Sequence, residues 1–149
     1  MKKSDGIKLA IFSFIVFFVV ILDRLTKNYI SKNYTLNESK AIIQGVFHRT
    51  YVHNYGAGFS ILQNQRWLFI IFALIVIAAI FYYYSNLPKN YVTVATALLL
   101  GGTIGNLIDR IIYGYVIDFL DFMIWPKFNL ADSAITIGAL FLVYYFWKS

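Results

Sequence analysis

The sequence of 149 residues is 60% hydrophobic, more than a soluble domain of this length needs for one core, so we expect lipid to solvate much of the surface. The formal charge of +6 comes from 13 Lys and Arg against 7 Asp and Glu, and the basic residues are scattered, which argues against nucleic-acid binding. The absence of cysteine excludes disulfides, a thiol nucleophile and cysteine-ligated metals. The composition predicts one membrane-embedded domain over residues 1–149.

The N-terminal segment is predicted to form the first membrane helix. Its two lysines, Lys2 and Lys3, precede an apolar run from Leu9 to Leu22, as in a secretory signal. No cleavage site of small residues follows this run, and the chain continues into a polar stretch that begins at Asp23. We therefore expect the segment to remain in the protein as a signal-anchor helix.

Residues from about 31 to 66 are predicted to form a β-rich extracytoplasmic insertion. The run Val46–His53 is rich in β-branched and aromatic residues, and Gly45 and Asn54–Gly58 bound it with turn formers. His48 and His53 lie five positions apart, on opposite faces of the predicted strand, so we do not expect them to share a metal ion. A small hairpin or sheet should sit over the surface that carries the acidic residues.

Three later segments have the length and apolarity of membrane helices: Trp67–Tyr84, Tyr91–Ile108 and Ser133–Trp147. The last is short, and we expect it to include residues before Asp132. The polar turn Ser85–Asn90 makes the second and third helices antiparallel neighbours. The predicted fold class is an all-α integral membrane protein with four transmembrane helices and a small β insertion between the first and the second.

Helix lengths place the acidic residues together. With a rise of about 1.5 Å per residue, Asp23, Asp109 and Asp132 reach the same bilayer surface. Asp118 lies in the short connection between helices three and four and must be there too. Crowded carboxylates beside apolar helices raise the pKa of at least one of them, and ionisable groups at membrane depth usually indicate function.

Asp118 and Asp132 are the candidate catalytic residues, because a pair of carboxylates can hydrolyse a peptide bond through water. One takes a proton from the attacking water, and the other, protonated, polarises the carbonyl oxygen and helps to protonate the leaving amine. Structural alternatives remain open, with Asp132 as the cap of helix four and Asp118 as a loop charge paired with Arg110.

Neighbouring polar residues carry weaker signals. We interpret Asp109 and Arg110 as an ion pair that anchors the end of helix three, and Asp121 as a solvated loop acid. Asp23 and Lys27, spaced i, i+4, predict either an exposed ion pair or a contact with a lipid headgroup or substrate backbone. Turn and cap roles, or hydrogen bonds to a ligand backbone, fit Asn54, Asn106 and Asn129. Close helix packing explains Gly101, Gly102 and Gly105.

Charge counting leaves the orientation open. Fewer basic residues would lie on the side of the chain ends than on the side of the acidic cluster, which opposes a cytoplasmic N-terminus. Basic residues near acids can instead serve as partners of aspartates or lipid phosphates, and Lys2 and Lys3 favour placement of the N-terminus inside. We expect both termini in the cytoplasm.

Five blocks of sequence, in order, resemble the signal peptidase II family, the lipoprotein signal peptidases, which are aspartyl membrane peptidases of bacteria. The blocks are Asp23-Arg24-Leu25-Thr26-Lys27, Asn54-Tyr55-Gly56-Ala57-Gly58-Phe59-Ser60, Gly105-Asn106-Leu107-Ile108-Asp109-Arg110, Val116-Ile117-Asp118-Phe119 and Phe128-Asn129-Leu130-Ala131-Asp132-Ser133.

The resemblance implies that Asp118 and Asp132 are the catalytic pair. It also implies site-shaping or substrate-holding roles for Asp23, Lys27, Asn54, Gly56, Asn106, Asp109, Arg110 and Asn129. The implied substrate is a prolipoprotein that carries diacylglycerol on its lipobox cysteine and is cut just before that cysteine, at the outer face of the cytoplasmic membrane. The β insertion corresponds to the family's β cradle.

We expect no metal and no cofactor, contact with membrane phospholipid, and a monomer. Two positions depart from the family pattern: Arg24 stands where Gln is usual, and Gly58 stands where Ala is common. Both lie outside the catalytic pair, although Gly58 should loosen its loop.

Two rival functions have distinct requirements. A proton- or cation-coupled transporter with the aspartates as a relay needs acidic residues at several membrane depths, whereas the acids here cluster at one surface. A non-enzymatic membrane scaffold that holds acyl chains would bind the same substrate without forming product.

Overall fold

The computed structural model describes residues 3–56, 62–88 and 90–148. Within these residues the chain forms the helices α1 (Lys3–Asn33), α2 (Arg66–Tyr83), α3 (Tyr91–Ile112) and α4 (Leu130–Lys148). All four are long and apolar enough to cross a membrane. The prediction of four membrane-spanning helices is confirmed for this described part of the chain.

The helices extend further than the apolar runs alone indicated. α1 continues through Asp23 and Lys27 because both side chains are buried against neighbouring elements and do not need water. Its 31 residues correspond to about 45 Å, which exceeds the roughly 30 Å of a hydrocarbon core. α3 continues past Ile108 to Ile112, so Asp109 and Arg110 lie within the last turn of the helix. α4 begins before Asp132, as expected.

A three-stranded antiparallel sheet covers one end of the bundle. Its strands are β1 (Ser39–Ile43), β2 (Phe47–Asn54) and β3 (Val116–Asp121), in the order β1-β2-β3. β2 agrees with the strand predicted at Val46–His53. The β insertion predicted between the first two helices is present, although α1 occupies the first of residues 31–66 and a third strand, which the sequence did not indicate, comes from the α3–α4 connection. β3 is buried on both faces, so its sequence does not alternate and resembles an apolar helix segment.

α3 is the central helix of the bundle. It packs against α1, α2 and α4. In α3, 67% of the apolar stretch that could cross the membrane is buried inside the protein, whereas the corresponding share is 11–17% in the other three helices. Glycines permit this packing, as predicted. A Cβ on Gly101 would meet Val19 of α1 at 2.9 Å, and a Cβ on Gly102 would collide with the backbone oxygen of Ala131 in α4. Gly138 of α4 packs in the same way against the backbone of α3, and the sequence did not single it out.

Separate contacts tie the two ends of α1 to the rest of the fold. At the end near the sheet, Ile30 and Tyr34 form a buried cluster with Tyr51, Ile117 and Phe119 of the strands. At the other end, the Lys8 ammonium donates hydrogen bonds to the carbonyl oxygens of Tyr84 (2.8 Å) and Leu87 (2.7 Å), after the end of α2. The strands are therefore anchored over one end of the bundle.

Gly102→Ala should destabilise the protein by about 1–3 kcal/mol, because the added methyl group forces α3 and α4 apart even though alanine is the better helix former. Thermal unfolding in one detergent measures the change. Leu140→Ala, at a position of α4 that is 64% exposed, is the matched control and should shift the unfolding temperature far less. Equal shifts in the two variants would contradict the packing described for Gly102.

Candidate active site

The residues predicted to form the site converge at the end of the bundle that the sheet covers. α1 supplies Asp23 and Lys27, and β2 ends at Asn54, two residues before Gly56. α3 supplies Asn106, Asp109 and Arg110, β3 carries Asp118, and Asn129 and Asp132 stand at the start of α4. A continuous set of hydrogen bonds and ion pairs joins all ten residues.

Lys27 is the centre of a buried ion cluster. Its Nζ lies 2.9 Å from Asp23 Oδ2 and 2.8 Å from Asp109 Oδ2, and all three side chains are almost fully buried. The i, i+4 spacing of Asp23 and Lys27 correctly predicted that they pair, but the alternative of an exposed pair is wrong, because α3 covers that face of α1. Gly105 makes this possible: a Cβ there would stand 2.8 Å from Asp23 Oδ2.

Arg24 completes the cluster, and the sequence reasoning missed this role. Its Nη2 lies 2.9 Å from Asp23 Oδ2, and its Nη1 lies 2.6 Å from Asp109 Oδ1. The predicted ion pair between Asp109 and Arg110 is therefore wrong: Asp109 pairs with Arg24 and Lys27 instead. Successive residues of a helix point about 100° apart, so Asp109 faces α1 while Arg110 faces elsewhere. The sequence did contain one indication of this role, since Arg24 directly follows Asp23 and can pair with it.

Arg110 faces the loop that follows β2. Its Nη2 donates a hydrogen bond to the Gly56 carbonyl oxygen (3.2 Å), and its guanidinium lies 4.7 Å from the centre of the Phe69 ring of α2. Arg110 thus joins α2, α3 and the loop. Gly58, which we expected to loosen this loop, lies outside the described residues.

The Asn106 amide connects the ion cluster to Asp132. Its Oδ1 accepts hydrogen bonds from Lys27 Nζ (3.0 Å) and Asn129 Nδ2 (3.2 Å). Because the oxygen is fixed by these two donors, the Nδ2 group must point the other way, and it donates to Asp132 Oδ1 at 2.7 Å. The position of Lys27 therefore sets which amide group meets Asp132.

Two more amides hold Asp118 in the same manner. Asn54 Oδ1 accepts the Gly56 N–H (2.9 Å), which orients its Nδ2 toward Asp118 Oδ2 at 2.9 Å. Asn129 Nδ2 donates to Asp118 Oδ1 at 2.7 Å. Each carboxyl oxygen of Asp118 thus accepts one hydrogen bond from a neutral amide.

The start of α4 binds Asp132 through a capping box. Asn129 Oδ1 accepts the Asp132 N–H (2.9 Å), and Asp132 Oδ2 accepts the Asn129 N–H (3.1 Å). Asn129 is therefore the capping residue, and the alternative in which Asp132 caps the helix is wrong. Asp132 stands in the first turn, where the helix dipole favours negative charge.

Asp118 occupies the more buried position of the two candidate catalytic residues. Its side chain is 1% exposed, and burial, with the nearby charge of Asp132 as the second cause, raises the pKa of Asp118 to about 7 although the amide hydrogen bonds oppose the shift. Its partners are Asn54 and Asn129, so the alternative in which Asp118 is a loop charge paired with Arg110 is also wrong.

Asp121 is a buried residue at the end of β3, and the expectation of a solvated loop acid is wrong. It accepts hydrogen bonds from the Thr50 hydroxyl (2.8 Å) and the Met123 N–H (2.9 Å), and Lys127 Nζ lies 3.5 Å away. Burial acts to raise the pKa of Asp121, but these donors outweigh it and hold the pKa below its usual range. Asp121 fixes the loop between β3 and α4.

A cavity of about 850 Å³ opens beside Asp132. Its walls are mainly apolar side chains of α2, α3, α4 and the β3–α4 loop, among them Phe69, Phe72 and Trp125. Polar groups enter it from the candidate site: Asn54, Asn106, Arg110 and Asp132. The sequence did not predict the contribution of α2, because Phe69 and Phe72 are not distinguishable from other lipid-facing residues. Asp132 lines the cavity and Asp118 does not, so the arrangement can hold an apolar ligand against the Asp132 carboxylate, with Asp118 buried behind the wall.

Comparisons with known proteins show which family and which solved structures the chain is similar to. The family model described as Signal peptidase (SPase) II matches residues 15–148. The chain is 48% identical to a lipoprotein signal peptidase of Halothermothrix orenii over 90% of this chain and 93% of that protein, and 44% identical to one of Moorella thermoacetica over 88% and 89%. Among solved structures, a bacterial membrane enzyme at 2.3 Å resolution matches with a TM-score of 0.87 and 34% identity, over 92% of this chain and 87% of that one.

Lys27→Met should destabilise the protein by about 3–5 kcal/mol, because it leaves two buried carboxylates with one cation. Thermal unfolding in a single detergent at neutral pH measures the effect. The control is Lys40→Met, which breaks the solvent-screened ion pair of Lys40 with Glu38 (2.9 Å) and should lower the unfolding temperature far less. If both variants unfold at the same temperature, the ion cluster does not stabilise the fold as described.

Proposed function

The chain belongs to the signal peptidase II family, and on this basis we propose that it is an aspartic endopeptidase whose catalytic pair is Asp118 and Asp132. Membership of the family identifies a peptidase of the bacterial cytoplasmic membrane that processes the signal peptides of lipoproteins. The observation that carries the catalytic assignment is the contrast between two kinds of carboxylate at one site.

Asp23 and Asp109 each contact both cations of the ion cluster, so their negative charge is compensated within the protein. Asp118 and Asp132 accept their hydrogen bonds from neutral amides. Two carboxylates without a contacting cation cannot easily both ionise at close range, and they are expected to hold one proton between them. This is the protonation state that peptide hydrolysis requires.

In the proposed reaction, Asp132 is the general base and Asp118 is the acid. Asp132 lines the cavity and takes a proton from a water molecule, whose oxygen attacks the carbonyl carbon of the scissile bond. Asp118, more deeply buried, holds the shared proton and donates a hydrogen bond to the carbonyl oxygen as that oxygen becomes negative. Collapse of the tetrahedral intermediate breaks the C–N bond, and the leaving amine takes a proton from the pair.

The cavity supports a substrate that presents a peptide bond beside acyl chains. We propose a prolipoprotein with diacylglycerol on its lipobox cysteine, cut immediately before that cysteine. The apolar walls formed by α2 and α4 would hold the acyl chains, while Arg110 and Asn54 stand near enough to the pair to bind the substrate backbone. The site then faces the outer side of the membrane, with both termini in the cytoplasm, and the chain acts as a monomeric single domain.

A transporter with an aspartate relay fits less well. The acidic residues of α1 are Asp5 and Asp23, separated by roughly 27 Å of helix, and α2 contains no acidic residue. A proton path across the membrane needs closer steps than this. The crowding of acids at one end of the bundle suits chemistry at a membrane surface.

Asp118→Asn and Asp132→Asn should each lower the rate of prolipoprotein cleavage by about 100- to 10,000-fold or more, because each variant removes one proton-transfer group. A gel-shift assay with lipidated precursor measures the product, with unlipidated precursor as the substrate control. Asp5→Asn, at the opposite end of the bundle, is the matched variant and should retain full activity. Thermal unfolding must show that all three variants fold. Retained cleavage in either folded active-site variant would exclude the proposed pair.

The rate of cleavage should fall as the pH rises through about 7, because the shared proton is then lost from the pair. The folded pKa of Asp118 lies above its unfolded value, so between about pH 4 and 7 the folded state binds more protons and this carboxyl's contribution to stability declines as pH rises. In the Asp118→Asn variant the unfolding temperature should therefore decline less between about pH 4 and 7 than in the wild type. A wild-type rate that keeps rising beyond about pH 8 would contradict the assignment.

A further inference from the structure

A second cluster of charged and aromatic residues lies outside the candidate active site, where the sheet meets α1. The guanidinium carbon of Arg49 is 5.2 Å from the centre of the Tyr34 ring and 5.6 Å from that of Tyr29. Lys40 Nζ is 4.5 Å from the centre of the same Tyr34 ring. These four residues form what we call the tyrosine–cation cluster. Neither the proposed catalysis nor the ion cluster around Lys27 uses them.

The tyrosine–cation cluster carries an uncompensated positive charge. Lys40 pairs with Glu38 at 2.9 Å, but no carboxylate of the described residues lies within ion-pair distance of Arg49. Arg49 Nε is buried, and it has no hydrogen-bond partner among the residues that the structure describes. Lys40 and Arg49 also stand directly opposite each other across β1 and β2, an arrangement of like charges that is unfavourable unless an anion joins them.

The depth of the tyrosine–cation cluster corresponds to the lipid headgroups. Lys8 caps the carbonyl groups at the far end of the bundle, and from Lys8 to Tyr29 the helix rises roughly 32 Å, close to the thickness of a hydrocarbon core. Tyr29 is exposed, as is typical of tyrosine at a membrane interface. Below it on the same face of α1, the exposed apolar side chains Leu25, Leu22 and Phe18 follow at helical spacing.

We propose that the tyrosine–cation cluster binds the phosphodiester of an anionic phospholipid in the leaflet nearest the sheet. Arg49 and Lys40 would hold the phosphate oxygens, Tyr29 would contact the headgroup region, and an acyl chain would lie along the exposed stripe of α1. The stripe favours an intact lipid over free phosphate, because an acyl chain can pack against its apolar side chains and a free phosphate cannot.

A bound lipid would hold the sheet against the bilayer. Arg49 pairs across the sheet with Leu120 of β3, the strand that carries Asp118, so the lipid would restrain the position of that strand. The inference does not rest on the proposed peptidase activity, because lipid binding is measurable without substrate.

Native mass spectrometry of the purified full chain, with equal amounts of phosphatidylglycerol and phosphatidylcholine, tests the proposal. The wild type should retain phosphatidylglycerol in preference. Arg49→Gln and Lys40→Gln should each weaken this retention by about five-fold, and Arg49→Lys should recover part of it. Lys32→Gln is the matched control, because it removes an exposed positive charge from the same end of α1 outside the cluster and should change nothing.

Three results would overturn the proposal. The wild type could show no preference for the anionic lipid, or Lys32→Gln could weaken retention as much as the cluster variants do, which would indicate general electrostatic attraction. Millimolar glycerol phosphate could also displace the lipid fully, which would indicate a site for free phosphate. If Arg49→Gln does not fold, Lys40→Gln decides alone, since Lys40 is largely exposed and its loss should leave the unfolding temperature in lipid-free detergent unchanged.

Discussion

Four carboxylates lie next to the apolar ends of three helices, and the site depends on the two different ways in which the protein compensates them. Asp23 and Asp109 meet cations, whereas Asp118 and Asp132 meet only amides. A buried ion pair is costly to assemble and, once complete, electrostatically satisfied. A carboxylate that is bound only by neutral donors in the same low-dielectric region is not charge-compensated, so burial favours its protonated form. Lys27 joins the two systems, because its contact with the Asn106 oxygen turns the amide nitrogen toward Asp132.

The pairing of cations with buried carboxylates also explains why counting basic residues did not predict the orientation in the membrane. Basic residues outnumber acidic ones near the site, yet Arg24 and Lys27 are paired within the ion cluster and Lys127 with Asp121. Arg66 donates to the Ile111 carbonyl oxygen at the end of α3. Cations that serve internal partners give little information about topology, so the positive-inside rule applies poorly to them. Lys8 also serves internal partners, so once such cations are removed on both sides the count no longer opposes the orientation that we propose.

Much of the architecture was predictable from the sequence, because apolar length specifies membrane helices and helix rise then places Asp23, Asp109 and Asp132 at one level. The third strand was not, since a strand buried on both faces lacks the alternation that identifies a half-exposed one. Partners across helices were also hidden. Spacing correctly paired Asp23 with Lys27, but which residues face Asp109 depends on how closely α1 approaches α3 at Gly105, a property of packing rather than of local sequence.

Infrared difference spectroscopy of the protein in bilayers, titrated from about pH 5 to about pH 9, tests the central claim most directly. The carboxyl C=O band counts protonated aspartates, and spectra of the Asp118→Asn and Asp132→Asn variants assign it. The account predicts one protonated carboxyl that titrates near pH 7 and is absent at that pH from both variants, because the proton belongs to the pair. A band that persists unchanged in both variants, or no protonated carboxyl at pH values below 7, would contradict it.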